Sequence, residues 1–135
     1  MNQVKPDKND SGSIHIILVD DDLVLLDTMK ELLEAMGYIV TPATGSIEAI
    51  ALMKNILFDV VITDYAMPEM NGLQLALHAR KILGDTPVIL YTGSNYLIDN
   101  QQIARAGIDE VVRKPCSIAD LNSTIKKVIA KNKIV

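Results

Sequence analysis

The segment that decides the fold runs from residue 14 to residue 22 and reads IHIILVDDD. Its first six residues are apolar apart from His15, and three aspartates follow without a break. A run that is apolar on both faces is typical of a strand that helices cover on both sides of a parallel sheet. We therefore predict a buried strand over residues 14–19 that ends at an acidic cluster, Asp20, Asp21 and Asp22.

The remaining strands are predicted from four more short apolar runs, at residues 38–41, 60–62, 88–90 and 111–112, the first of them closed by Pro42. Between the runs, apolar residues recur every three or four positions, as on one face of a helix. An example is the stripe of Leu26, Met29, Leu33 and Met36. Strand and helix alternate five times, which predicts an α/β fold, a (βα)5 parallel sheet sandwiched by helices.

The helix boundaries are predicted from capping residues. Ser46 and Ser117 stand where the second and fifth helices should start. Gly37, Gly84 and Gly107 stand where the first, third and fourth should end. The five helices are then expected at residues 26–36, 46–53, 73–83, 97–106 and 117–132.

Composition is that of one globular domain: 49% of the 135 residues are apolar and 22% are charged. We expect a flexible N-terminal linker over residues 1–13 and the domain over residues 14–132. A net charge of −4 does not favour a direct nucleic-acid surface. The single cysteine, Cys116, excludes an internal disulfide and suits the reducing cytoplasm. No apolar run approaches the roughly 20 residues needed to cross a bilayer, so no membrane association is expected.

Polar side chains follow four of the five predicted strands. The acidic cluster follows the first strand, Asp64 the third, Thr92 the fourth and Lys114 the fifth. Ligand sites in such sheets lie at the carboxyl ends of the strands. Clustered carboxylates need a cation, and Mg²⁺ prefers oxygen ligands that it shares with phosphate. An ammonium and a hydroxyl group can contact phosphoryl oxygens. The pattern therefore predicts a Mg²⁺-assisted site for phosphoryl transfer.

The sequence resembles the receiver domain of bacterial response regulators over residues 14–131. The resemblance lies in four motifs: ILVDDD at residues 17–22, DYAMPEMNG at 64–72, Thr92-Gly93, and Lys114-Pro115. It implies a (βα)5 flavodoxin-like doubly wound parallel sheet with strand order 2-1-3-4-5. It also implies that Asp64 is the phosphoacceptor, that Thr92 and Lys114 contact the phosphoryl group, and that the Lys114-Pro115 bond is cis.

The same resemblance implies the ligands of a Mg²⁺ ion: Asp20, Asp21, Asp64 and the backbone carbonyl of Ala66. Asp22 falls at a variable position of the family, and we assign it no metal role. The chain is not expected to be an enzyme beyond catalysing its own phosphorylation and dephosphorylation. Its role is expected to be that of a switch that changes conformation when phosphorylated.

The implied partners are a histidine kinase or a histidine phosphotransfer domain as phosphoryl donor, and an output domain in the same or another chain. A homodimer through the fourth helix, fifth strand and fifth helix is a further expectation. The chain fits both a separate response regulator and the terminal receiver of a hybrid histidine kinase. It departs from the family at Val111, where many members carry Tyr or Phe as part of the switch. Strand alternation should point Tyr91 away from Thr92.

Three other functions compete with this interpretation. Residues 20–28 resemble the Asp-x-Asp-Gly-Thr start of haloacid-dehalogenase-like phosphatases, but Leu23 and Val24 stand where Gly and Thr belong. A flavodoxin-like cofactor binder would need a phosphate-cradling loop after the first strand, where three aspartates stand instead. A degenerate receiver that only binds partners would lack some of the site residues, and all are present.

Overall fold

The structure is a computed structural model that describes residues 13–93 and 98–133. Strands and helices alternate along the chain, in the order β1 (His15–Val19), α1 (Leu23–Ala35), β2 (Ile39–Ala43), α2 (Ser46–Met53), β3 (Val60–Thr63), α3 (Gly72–Leu83), β4 (Val88–Gly93), α4 (Asn100–Ala106), β5 (Glu110–Lys114) and α5 (Ile118–Lys133). Residues 1–12 of the predicted linker and Leu97, the predicted start of the fourth helix, lie outside the described residues. The fourth helix starts later than predicted, because Ile98 and Asp99 are not helical and Asp99 is the N-cap of α4.

The strands form one sheet in the order β2-β1-β3-β4-β5, and every neighbouring pair is parallel. The predicted fold class and strand order are confirmed. Because the strands are parallel, their carboxyl ends lie along one edge of the sheet. The chain leaves β1 toward β2 on one side and returns to β3 on the other, so this edge contains the topological switch point at which such folds bind ligands.

Two hydrophobic clusters cover the two faces of the sheet. Alternate residues of a strand point to opposite faces. Ile16 and Leu18 of β1 accordingly pack in the cluster with the buried residues of α1 and α5, and Ile17 and Val19 in the cluster with those of α2 and α3. All four side chains are buried. Burial on both faces explains why β1 is an almost continuous apolar run rather than an alternating one.

The predicted end of β2 before Pro42 is wrong, because the strand continues through Pro42 to Ala43. The strand lies at the edge of the sheet and pairs with β1 alone. The Ile39 N–H donates to the Ile14 carbonyl oxygen and the Ala43 carbonyl oxygen accepts from the Asp20 N–H. The residues that alternate with these two, including Pro42, therefore direct their backbone polar groups away from β1. A proline at such a position removes no sheet hydrogen bond.

Two helix predictions also needed correction. Met36, the last residue of the predicted apolar stripe, is 42% exposed, because α1 stops at Ala35 and Met36 is its C-cap. Gly37 follows with a φ of 99°, as predicted for a helix terminator.

The N-cap of α2 is Gly45 rather than Ser46. Ser46 begins the helix, and its buried hydroxyl has no hydrogen-bond partner in the described residues. The Asp120 N–H donates to Oγ of Ser117 at 3.0 Å, as its capping role predicted.

Gly72 is expected to be required for the packing of α3 against the sheet. A Cβ added to it would lie 2.4 Å from the Asp64 carbonyl oxygen and 2.7 Å from Cδ1 of Leu90. Since the first contact is with backbone, α3 would have to move, and we expect Gly72→Ala to lower the free energy of unfolding by about 1–3 kcal/mol. Urea unfolding measures this. Gly93→Ala is the control, because nothing lies within 4 Å of its added Cβ and it ends β4 rather than capping a helix; an equal loss in both variants would contradict the expectation.

His15 is half-buried, as expected for its place in β1. Its Nε2 lies 2.7 Å from Oγ1 of Thr41, and its ring meets the edge of Phe58 with the ring centroids 4.8 Å apart. Burial lowers the pKa of His15 below its ordinary value of 6.5, and the nearby carboxylate of Asp59 opposes part of that shift. The neutral ring is therefore the form that the fold favours.

We expect the neutral His15 ring to stabilise the fold, and we expect this contribution to decrease as the pH falls below 6.5. The unfolded chain binds the proton more readily than folded His15, so the contribution is complete above pH 6.5 and is lost as the pH falls through the lowered folded pKa. Urea unfolding of wild type and His15→Gln at about pH 7.5 and 5 measures the change in their difference. His78→Gln, on an exposed position of α3, is the control, and a pH-independent difference for His15→Gln would contradict the prediction.

Candidate functional site

Two aspartates leave adjacent central strands side by side. Val19 of β1 pairs with Thr63 of β3, so Asp20 and Asp64 are the next residues in register. The Asp64 N–H donates to the Val19 carbonyl oxygen at 2.9 Å, which continues the sheet bonding to the site itself. Both carboxylates are therefore positioned by the rigid centre of the sheet rather than by a loop alone.

The acidic cluster can hold a metal ion. Asp20, Asp21 and Asp64 each offer a carboxylate oxygen, and these oxygens lie within 4.8 Å of one another. Asp20 is buried, Asp64 is half-buried and Asp21 is exposed. An all-oxygen donor set that opens to solvent on one side suits Mg²⁺, which keeps several waters and shares its remaining positions with phosphate oxygens.

Asp22, the third aspartate of the triplet, has a structural role. Its carboxylate accepts a hydrogen bond from the Leu25 N–H at 3.1 Å and caps the start of α1. Its own N–H donates to Oδ1 of Asp20 at 2.9 Å. The turn after β1 therefore orients the Asp20 side chain while α1 begins.

Lys114 supplies the positive charge of the site. Its Nζ lies 3.3 Å from Oδ2 of Asp20 and 3.3 Å from Oδ1 of Asp64. The Lys114 side chain is 22% exposed, against 6% for Asp20 and 13% for Asp64. One ammonium thus bridges the two inner carboxylates in a largely desolvated position, where charge interactions are stronger than at an exposed surface.

The pKa of the Asp64 carboxyl lies above its ordinary value of 3.8. Burial is the largest cause, and the charge of Asp20 adds to it. The charge of Lys114, its hydrogen bond and the hydrogen bond from the Tyr65 N–H, at 2.9 Å, oppose the shift. One ammonium therefore does not fully offset burial beside a second carboxylate, and a dication here would favour the ionised form of Asp64.

Thr92 and Ala66 lie at the carboxyl ends of β4 and β3, on the same edge of the sheet as this group. Thr92 is the penultimate residue of β4 and is fully buried. Within the part of the chain that the structure describes, its Oγ1 is in hydrogen-bond range only of the Gly93 carbonyl oxygen, at 3.5 Å. Ala66 is half-buried, two residues beyond Asp64. The structure thus brings together Asp20, Asp21, Asp64 and Lys114, and the roles of Thr92 and Ala66 stay predictions.

The sequence patterns did not predict one residue of this site, Tyr91. As predicted, Tyr91 points away from Thr92: its ring packs in the cluster that α1 and α5 cover. Val111 packs against the other cluster. However, the Tyr91 ring centroid lies 5.0 Å from Nζ of Lys114, a contact that depends on the register between β4 and β5. The Lys114-Pro115 bond is cis, as predicted.

Among the helices that the structure describes, we find none that combines the length and the apolar character needed to cross a membrane.

Known proteins match the chain over most of its length. The model of the response regulator receiver domain family matches residues 16–126. Response regulator SaeR of Staphylococcus aureus (strain USA300) is 31% identical over 119 residues, which cover 88% of this chain and 52% of the relative. The chain therefore spans about half the length of the curated relatives that it matches.

Solved structures agree with these matches. A CheY-like response regulator receiver domain protein from Methanospirillum hungatei JF-1 has a TM-score of 0.85 and 31% identity, with coverage of 90% of this chain and 98% of that one. A signal receiver domain of a signal transduction histidine kinase from Syntrophus aciditrophicus has a TM-score of 0.77 and 30% identity, with coverage of 91% and 95%. The strand order, the family match and these relatives together establish that the chain belongs to the response regulator receiver domain family of two-component signalling.

Proposed function

We propose that the chain accepts a phosphoryl group on Asp64 in a Mg²⁺-dependent reaction and changes conformation when it does so. One observation carries the proposal: the Asp64 carboxylate lies both within the cluster of three metal-competent carboxylates and 3.3 Å from the Lys114 ammonium. That combination supplies a nucleophile together with charge to stabilise a phosphoryl group.

In the proposed reaction, an Asp64 carboxylate oxygen attacks the phosphorus of a phosphohistidine. A P–O bond forms to Asp64, the P–N bond to the imidazole breaks, and the released imidazole keeps the electron pair and takes a proton from solvent. Asp20, Asp21, Asp64 and the Ala66 carbonyl would hold Mg²⁺, which when bound neutralises charge on the phosphoryl oxygens. The carboxylate pocket fits this ion because its ligand atoms are all oxygens.

Lys114 and Thr92 are proposed to contact the phosphoryl group. The Lys114 ammonium, which bridges Asp20 and Asp64, would contact a phosphoryl oxygen from its present position once Asp64 is phosphorylated. The Thr92 hydroxyl would donate to another phosphoryl oxygen. Movement of Thr92 toward the phosphoryl group would start the conformational change, with Val111 in place of a large aromatic ring beside Thr92.

We propose that the phosphoryl donor is a histidine kinase or a histidine phosphotransfer domain and that the chain acts in the cytoplasm. Output would come from a domain in the same or another chain, and a homodimer through α4, β5 and α5 is part of the proposal. The chain would catalyse only its own phosphorylation and dephosphorylation. Receiver domains of both a separate response regulator and a histidine kinase are similar to it, so both contexts stay open.

Phosphorylation by acetyl phosphate tests the proposed function. Intact-mass spectrometry should detect one added phosphoryl group in wild type with Mg²⁺, none after chelation, and none in Asp64→Asn. Asp22→Asn is a matched control from the same acidic triplet, because asparagine caps a helix as well as aspartate does, and it should be phosphorylated like wild type. Phosphorylation of Asp64→Asn at the wild-type level would refute the proposal.

A further inference from the structure

Tyr91 and Lys114 lie on one face of the sheet because of the pairing between β4 and β5. Tyr91 pairs with Val112, and Gly93 pairs with Lys114. Val112 and Lys114 are two residues apart on β5, so their side chains share a face, and Val112 packs in the same cluster as Tyr91. Tyr91 and Lys114 are therefore diagonal neighbours across the two strands, within reach of long and aromatic side chains.

The ring of Tyr91 makes a cation–π contact with Lys114. Nζ of Lys114 lies 5.0 Å from the ring centroid, inside the roughly 6 Å range of such contacts. Tyr91 is 6% exposed and the Lys114 side chain 22%. Because water is largely excluded from both partners, the attraction is stronger than at an exposed surface.

The ring itself is held in place by packing. Cys116, two residues beyond Lys114, packs against the same cluster as Tyr91. Burial raises the pKa of Tyr91 to about 12, so the hydroxyl remains protonated and available as a donor. The ring also packs among the apolar residues of its cluster, which restricts its rotation.

We propose that Tyr91 is a positioning residue for Lys114, holding the ammonium at the acidic site through the face of its ring. The carboxylate partners of Lys114 change in the proposed reaction, since Asp64 is phosphorylated and Asp20 turns to the metal. The ring contact does not involve either group and persists through both changes. Lys114 would then be preorganised for the phosphoryl oxygen at no cost of reorientation at the moment of transfer. The effect on phosphorylation rests on the proposed function.

Phosphorylation rates test this role. With acetyl phosphate and saturating Mg²⁺, Tyr91→Leu should lower the rate about five-fold, and Tyr91→Phe, which keeps the ring, should restore most of it. In a Lys114→Ala background, Tyr91→Leu should cause no further loss. Tyr38→Leu removes another buried tyrosine, one that immediately precedes β2 at the opposite edge of the sheet from Lys114, and controls for loss of packing. An equal loss of rate from Tyr91→Leu in both backgrounds would overturn the proposal.

A second measurement needs no phosphoryl donor and separates this inference from the proposed function. In NMR spectra, the ring should shift the Lys114 ε-methylene protons upfield in wild type and in Tyr91→Phe, and the shift should vanish in Tyr91→Leu. Absence of the shift in wild type would refute the contact and with it the inference. A wild-type protein that shows the shift but takes up no phosphoryl group would instead refute the proposed function.

Discussion

Replacing Asp21 with asparagine is expected to weaken Mg²⁺ binding by roughly 100-fold, since loss of even an outer-shell partner of a metal ligand typically costs 10–100-fold. Asp21 contributes one of the three carboxylate oxygens that lie within 4.8 Å of one another. Removing its charge leaves Asp20 and Asp64, which already share the Lys114 ammonium. Isothermal titration calorimetry with MgCl₂ measures the affinity.

Asp22→Asn is the control for the loss of one negative charge beside the site. Its side chain caps α1, a role that asparagine performs as well as aspartate, so the affinity for Mg²⁺ should change little. Because Asp21 is exposed, its substitution should not alter the stability of the fold. If Asp21→Asn and Asp22→Asn bind Mg²⁺ equally well, Asp21 is not a ligand.

Replacing Lys114 with alanine is expected to slow phosphorylation of Asp64 by about 100- to 1000-fold, the cost found when one preorganised donor to a developing charge is removed. The substitution also takes away the positive charge that lowers the pKa of Asp64. A larger fraction of Asp64 would then be protonated at mildly acidic pH, and the nucleophile would be lost there. Rates with acetyl phosphate, followed by intact mass across pH, measure both effects.

Lys127→Ala is the matched control for this substitution. Lys127 pairs with Glu110 of β5 at 3.0 Å, and its side chain is 65% exposed. An exposed ion pair contributes about 0–1 kcal/mol, so both the rate and the stability should stay close to those of wild type. A Lys114→Ala variant that is phosphorylated as fast as Lys127→Ala would exclude Lys114 from the phosphoryl-transfer step.

Local patterns in the sequence were enough to predict the sheet and the edge that carries the site. The apolar run of β1 is continuous because helices cover both of its faces, and that pattern is visible in one sequence. The aspartates at its end need no tertiary information to be placed at the carboxyl edge. The strand order came from resemblance to a family, because the pattern of one chain does not distinguish among parallel topologies.

Two features that the sequence did not predict depend on the pairing of strands distant in sequence. Pro42 lies inside β2 because that strand is at the edge, and the edge position depends on the pairing of all five strands. The contact of Tyr91 with Lys114 requires the register of β4 against β5. The exposure of Met36 has a local cause instead, because α1 stops one residue before it through backbone hydrogen bonds at its own C-cap.

Phosphorylation of Asp64 is most directly tested by locating the phosphoryl group. Borohydride reduces an aspartyl phosphate to homoserine, which tandem mass spectrometry identifies in a protease digest of the phosphorylated protein. We predict homoserine at position 64 and unmodified aspartate at positions 20 and 21. Homoserine at position 20 or 21, or a phosphoryl group found on His15 or His78, would contradict the assignment of Asp64 as the phosphoacceptor.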